Sequence, residues 1–194
     1  MDEVTVAILA GGLGSRLGGA DKGLIRLGGE PLAERLLRRQ PPGMPRLIVA
    51  NRNLERYRRF GVPVVVDPWP DYRGPLAGML AALRAAATPW VLCLPCDAAR
   101  LPVDLLARLL RAAREQWVPA VHARTAEQDH YVCCLLARRL EPLLAHALAQ
   151  GERAPRRWFT DIDARPVDFS DVRPEPIWSL NTDGELEAAR AVRP

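Results

Sequence analysis

Val4-Thr-Val-Ala-Ile-Leu-Ala-Gly-Gly-Leu-Gly-Ser-Arg-Leu-Gly-Gly-Ala-Asp-Lys22 opens the chain with an apolar run that empties into a glycine-rich loop. The run 4–10 shows no polar alternation, the pattern of a strand covered on both faces. Gly11, Gly12, Gly14, Gly18 and Gly19 follow in quick succession. Glycine permits positive φ and close approach of backbone to a ligand, so successive N–H groups can turn inward around phosphate oxygens. Arg16 and Lys22 add mobile positive charge. A flexible surface turn would share the glycines, and the lysine separates the two readings. Lysine and arginine together number 27; Lys22 is the one lysine, so the other 26 are arginine. An ammonium is a compact point charge on a flexible stem, whereas a guanidinium is a planar fork. A lysine kept only at the end of this loop marks a site that needs the point charge, and the ligand it implies is a nucleoside triphosphate.

Outward from the loop, residues 25–30 read as an extended turn, and Pro31 suits the first position of a helix whose stripe is Leu32, Leu36 and Leu37. Pro41-Pro42-Gly43 must stop it. Residues 46–50 form the next buried strand, Asn51 or Asn53 caps a short basic helix over 54–60, and a third strand over 62–66 ends at Asp67. The proline-rich stretch 67–75 is a loop. A helix over 76–87 and a strand over 90–94 follow, the strand ending in Pro95-Cys96-Asp97. Pro102 starts a helix with Leu105, Leu106, Leu109 and Leu110 on its apolar face. Strands over 118–122 and 130–137 and a helix over 140–149, ended by Gly151, come next. Short edge strands over 164–169 and 177–180 and a closing helix over 185–192 complete the chain. This alternation predicts an α/β fold, a single doubly wound, Rossmann-like, mostly parallel sheet with helices on both faces, and one domain over 1–194.

Length and composition narrow the function. A chain of 194 residues can bury about 70% of its unfolded surface and needs no staples. A net charge of +4 fits a polyanionic ligand but is too small and too evenly spread for nucleic-acid binding. With no charged-then-apolar leader and no apolar run long enough to span a bilayer, a cytoplasmic protein is expected, without membrane contact. Cys93-Leu-Pro-Cys96 has the C-x-x-C form, yet it lies in a strand, where an offset of three sends the two thiols to opposite faces. Cys133 and Cys134 diverge likewise, so buried, inert thiols are expected.

In open α/β sheets, ligands bind beyond the carboxyl ends of the strands where strand order reverses. Three polar features fall at such ends: the glycine-rich loop, Asp67 and Asp97. Either aspartate alone is ordinary turn chemistry. Asp97 directly follows an apolar strand and could face a phosphate-bound cation such as Mg²⁺. Rival nucleotide motifs fit worse. Gly12-Leu-Gly14-Ser-Arg-Leu-Gly18 approaches a dinucleotide fingerprint, but no acidic residue ends a second strand about 20 residues on, and Asp21-Lys22-Gly23 is not the Gly-Lys-Ser/Thr of a P-loop.

At Leu9-Ala10-Gly11-Gly12 with Arg16 and Lys22, at Asp67, at Gly74-Pro-Leu-Ala-Gly78, at Pro95-Cys-Asp97, at Val167-Asp-Phe-Ser-Asp171 and at Asn181-Thr182, the chain resembles the molybdenum cofactor guanylyltransferases of the MobA family, within the wider nucleotidyltransferases. The resemblance implies transfer of GMP from GTP to the phosphate of Mo-molybdopterin, giving the guanine dinucleotide cofactor and pyrophosphate. It also implies the roles. Backbone at Leu9, Ala10, Gly11 and Gly12 would cradle the nucleotide; Arg16 and Lys22 would meet the triphosphate; Asp67 and the turn up to Gly78 would contact the guanosine; Asp97 would hold Mg²⁺. Arg16, Lys22 and Asp97 form the expected catalytic set. The implied partners are GTP, Mo-molybdopterin, other molybdenum cofactor biosynthesis proteins and client molybdoenzymes, with the enzyme itself a monomer. Sugar-phosphate nucleotidyltransferases resemble the chain less, because their loop carries a longer insert before its lysine. The cytidylyltransferase branch tends to carry Ala-Ala-Gly where Ala10-Gly11-Gly12 stands here. A non-catalytic nucleotide-binding module is the alternative of another class, and the presence of Lys22 and Asp97 argues against it. Two departures from the family pattern bear on the acceptor and nucleotide sides: Ser179-Leu-Asn181-Thr-Asp lacks the Asn-x-Asn-Thr-Pro form, and Val49 stands where relatives carry a polar residue.

Overall fold

The computed structural model describes residues 3–10, 12, 19–67, 69, 74–126, 128–173, 176, 179–180 and 184–185. Its centre is β1 (Val4–Leu9), buried along its whole length. Val4, Val6 and Ile8 enter one core cluster and Ala7 and Leu9 the other, so the strand is covered on both faces as its apolar run requires. Thr5, the one polar residue in the strand, is satisfied by a 2.7 Å hydrogen bond to the hydroxyl of Thr88.

A two-residue hairpin, β2 (Arg26–Leu27) and β3 (Glu30–Pro31), follows the loop and leads into α1 (Leu32–Arg39). Gly28 and Gly29 both take positive φ in its turn. The expected extended turn is thus a hairpin, and Pro31 precedes the helix as its N-cap instead of occupying its first position. Next come β4 (Arg46–Val49), α2 (Leu54–Arg58), β5 (Val64–Val65), α3 (Pro75–Ala85), β6 (Trp90–Pro95), α4 (Leu105–Glu115), β7 (Ala120–Arg124), β8 (Asp129–Ala137), α5 (Glu141–Ala149), α6 (Pro155–Asp161) and β9 (Arg165–Asp168).

Seven strands form one sheet in the order β5-β4-β1-β6-β8-β7-β9. β4, β5, β6, β7 and β9 run parallel to β1, and β8 alone is antiparallel. The chain steps outward from β1 through β4 to β5, then returns to place β6 on the other flank of β1. The strand order therefore reverses between β1 and β6, where a doubly wound sheet opens its crevice. α1 and α4 pack on one face and α3, α5 and α6 on the other.

Helix α6 has no counterpart in the sequence reading. It is only seven residues long, and its apolar content is the adjacent pair Trp158 and Phe159, too short a segment for helical periodicity to show. Both rings are buried. The expected strand over 164–169 is β9, at the sheet edge. The carboxyl end of β9 is fastened to α4, because Arg108 stacks 4.2 Å above the ring of Phe169 and pairs with Asp171 at 3.0 Å. Most of the expected 177–180 strand and 185–192 helix lies outside the described residues, and Ser179 and Leu180 are not in a strand.

Candidate active site

The carboxyl ends of the parallel strands share one pole of the sheet, and the polar residues singled out by the sequence follow from that placement. Asp97 lies two residues beyond β6, Asp67 two beyond β5, and the glycine-rich loop follows β1. The loop's far end is a single 3-10 turn, Lys22–Leu24. Its position brings the Lys22 ammonium to 2.8 Å from Asp97 Oδ2, across the gap between β1 and β6. Both side chains are largely buried, 20% and 12% exposed, so the ion pair is shielded far more than a surface pair.

Leu9 and Ala10 carry the loop out of the sheet and are bonded within it: the Leu9 carbonyl accepts the Cys96 amide at 3.1 Å, and the Ala10 amide donates to Val49 O at 2.7 Å. Gly12 is exposed, beyond these tethers. Gly11 and Arg16 lie outside the described residues. Gly78, in α3, faces Leu9 and Val49, which a Cβ would meet at 3.6 to 3.9 Å. These are ordinary contact distances, so the packing of α3 on the ends of β1 and β4 does not itself require glycine there. Asp67 is buried; its carboxylate accepts the Trp69 amide at 2.9 Å, and its own amide donates to Asn51 Oδ1 at 3.0 Å. β5 is three strands from β6, which separates Asp67 from the Lys22–Asp97 pair by roughly 14 Å at ordinary strand spacing. These residues stand in a row along one pole of the sheet.

Other residues shape the site without a sequence signal. Asp21, adjacent to Lys22, accepts the Tyr57 hydroxyl at 2.5 Å and the Asn53 amide nitrogen at 2.9 Å. Arg52 donates to the carbonyls of Gly19 at 2.8 Å, Ala20 at 3.0 Å and Gly12 at 3.2 Å. Asn53 does precede α2, but its side chain goes to Asp21 and makes no cap hydrogen bond. Gly23 packs so closely on Tyr57 and Cys96 that a Cβ would stand 2.5 Å from the Tyr57 oxygen. Burial, with Cys96 and then Asp21 nearby, holds the Tyr57 phenol well above its ordinary range, so it remains a donor. Leu180 donates its amide to Asp97 O at 3.0 Å, docking the chain's late segment beside the site.

The cysteines divide as strand geometry requires. Cys96 and Cys133 belong to one core cluster, Cys93 and Cys134 to the other. Burial, with Asp97 and Asp21 nearby, pushes the Cys96 thiol up. Burial and a hydrogen bond with Cys93 do the same at Cys134. Cys93 and Cys96 thus lie on opposite faces, as do Cys133 and Cys134, while Cys93 and Cys134 are cross-strand neighbours; all four are buried and unbridged.

Comparison with known proteins shows the family and the fold. The MobA-like NTP transferase domain matches residues 6–166. The molybdenum cofactor guanylyltransferase of Cupriavidus taiwanensis is 42% identical over 98% of both chains. The protein of that name from Vibrio cholerae is 40% identical over 96% of this chain and 91% of its own. Among solved structures, molybdopterin-guanine dinucleotide biosynthesis protein A from Archaeoglobus fulgidus superposes with a TM-score of 0.79, covering 96% of this chain and 97% of its own, at 20% identity, a likeness of fold. Matched by the family model over residues 6–166, this chain belongs to the MobA-like NTP transferase family.

Proposed function

We propose that this protein is a molybdenum cofactor guanylyltransferase, transferring GMP from GTP to the phosphate of Mo-molybdopterin and releasing pyrophosphate. The observation that carries the reading is the nearly full-length similarity to proteins of that name. Fold alone does not choose the base, because the 2-C-methyl-D-erythritol 4-phosphate cytidylyltransferase of Thermus thermophilus superposes on the chain as well, with a TM-score of 0.72.

The acceptor phosphate attacks the α-phosphorus of GTP in line with the departing pyrophosphate. Both reactants are anions, so the protein's tasks are to align them and to offset their repulsion. The glycine loop offers backbone N–H groups, and Lys22 adds a fixed charge on the β1 side. Asp97 fits a role as Mg²⁺ ligand. It is a hard oxygen donor at the crevice, already placed against a cation, and Mg²⁺ is commonly held by one or two carboxylates plus phosphates and water. No group of three His, Cys, Asp or Glu side chains that could hold a metal occurs among the described residues, so Asp97 would share the ion with substrate phosphates. Bound there, Mg²⁺ would supply charge neutralisation at the triphosphate. Asp67, buried at the far end of the row, would read the guanosine. The expectations of monomeric state, cytoplasmic location and partner proteins accompany this reading, and no described helix is long and apolar enough to cross a membrane.

The test is pyrophosphate release with Mg²⁺ and molybdopterin, run with each of the four nucleoside triphosphates beside thermal shifts. GTP should support turnover and shift the unfolding midpoint most, since a base whose edge leaves buried polar groups unpaired is penalised. Equal shifts with all four, or turnover with CTP alone, would overturn the proposal.

A further inference from the structure

We infer that Arg52 is a positioning residue of this reaction: its guanidinium ties together the two ends of the glycine-rich segment and thereby sets where Lys22 stands. The inference rests on the nucleotide-transfer reading above. Its basis is a set of contacts converging from residues 52–57 on a loop more than 30 residues earlier. Arg52 Nη2 donates to Gly12 O and Ala20 O, and Nη1 donates to Gly19 O. Gly12 lies on the near side of residues 13–18, and Gly19 and Ala20 on the far side. One planar group therefore closes the segment at its base. Arg52 Nε also stands 3.7 Å from Asp21 Oδ2, the carboxylate already held by Asn53 and Tyr57.

Closure matters here because of composition. Fixing one residue's backbone costs about 1–2 kcal/mol of conformational entropy, and glycine loses more than any other residue. An external tie between Gly12 and the pair Gly19 and Ala20 lowers the entropic cost of ordering a glycine-rich sequence. The chemistry selects arginine. A guanidinium presents five donors in a fixed fork, enough to serve several carbonyls at once, while an ammonium offers three from a single nitrogen and cannot span them. The Arg52–Asp21 contact then transmits the position to the neighbouring residue, Lys22, whose ammonium meets Asp97. The Arg52 side chain is about one-quarter exposed.

Arg52→Gln and Arg52→Lys should be compared with the wild type in steady-state kinetics, GTP titration, thermal unfolding and amide exchange of residues 10–22 without nucleotide. With both variants folded and their midpoints within a few degrees of wild type, each should raise KM for GTP by roughly ten-fold or more. Turnover at saturating GTP should fall less, and exchange should quicken across 10–22. Lysine should not rescue, because charge without the fork cannot bridge the carbonyls. Wild-type KM and exchange in Arg52→Gln, or full rescue by lysine, would refute the role. A wild-type protein that does not bind GTP would instead refute the proposed function, and the exchange comparison would still test the tie. Should Arg52→Gln unfold, Tyr57→Phe, which removes one hydrogen bond to Asp21, must shift KM in the same direction for the inference to stand.

Discussion

Lys22 and Asp97 carry opposite charge to one place, and each is replaceable by a near relative that tests what the site requires. Lys22→Ala should lower turnover by roughly a hundred-fold or more, as loss of a preorganised electrostatic group does. Lys22→Arg should not restore it, since a planar fork does not fit where one ammonium is seated 2.8 Å from a buried carboxylate. Asp97→Asn should lose Mg²⁺-dependent turnover yet keep metal-free GTP binding through the loop. A Mg²⁺ titration of pyrophosphate release checks all three, and an unchanged metal requirement in Asp97→Asn would displace Asp97 from its role. Gly23 supplies a purely steric test. A Cβ there stands 2.5 Å from the Tyr57 oxygen and 3.2 Å from Cys96 Cβ, so Gly23→Ala should cost about 1–3 kcal/mol in denaturant unfolding. In a Tyr57→Phe background the nearest obstruction is gone and the cost should shrink, a coupling that a double-mutant cycle measures. Lys22 and Asp97 were legible in sequence because composition isolates the one and a strand-end rule locates the other. Arg52 and Tyr57 were not: Arg52 is one of 26 arginines, and its contacts span 32 to 40 residues, with no local signature.

Three helices end in one and the same way, and only one of them announces it in sequence. After α5 the Gly151 amide donates to Leu148 O and the Glu152 amide to Ala147 O, the paired bonds of a Schellman motif, with Gly151 at φ 87°. α6 repeats the pattern with Asp163 at φ 53°, and α4 with Trp117 at φ 56°. Gly151 marks its helix end because glycine adopts this conformation without cost; Trp117 and Asp163 do not, since neither residue type singles out a left-handed position in sequence. Trp117 is 90% exposed, so its ring contributes little packing to offset the left-handed backbone. Trp117→Gly should therefore stabilise the fold by about 1 kcal/mol, near the penalty of a left-handed L-residue, and Gly151→Ala should destabilise it by a similar amount. Urea midpoints would show both, and a destabilised Trp117→Gly would mean that the exposed ring is engaged in the native state. The strands were legible for the opposite reason. Their apolar runs are set by two-sided burial, so β1, β4 and β6 stand within a residue or two of where hydropathy places them, whereas β5, at the sheet edge, shrinks to Val64–Val65.

Across the molecule, the one antiparallel strand changes what the functional pole contains. β8 begins where β6 ends, so its first residues, Asp129, His130 and Tyr131, join the pole that carries the Lys22–Asp97 pair. His122 from β7 joins them, with Nε2 3.0 Å from Asp129 Oδ1, while Arg124 donates to the same carboxylate at 2.6 Å. Burial outweighs the attraction of Asp129 at both histidines. It lowers the His122 pKa and brings that of His130 down to about 4. Both are neutral in the folded protein at pH 7, yet in the unfolded chain a histidine titrates near 6.5. Between those values the unfolded state binds more protons than the folded one, so stability is full above about pH 6.5 and falls as the pH drops toward 4. The Arg124 hydrogen bond holds the Asp129 carboxyl well below the carboxylate range, so its own contribution is lost only at pH below that window. The two effects thus separate along the pH axis. Urea unfolding at pH 7.5 and pH 4.5 should show the wild type losing stability over this interval. His130→Gln, which has no proton to take up, should lose less. If the two proteins lose stability in parallel, His130 is not held neutral, and the acid sensitivity of the fold resides elsewhere on this pole.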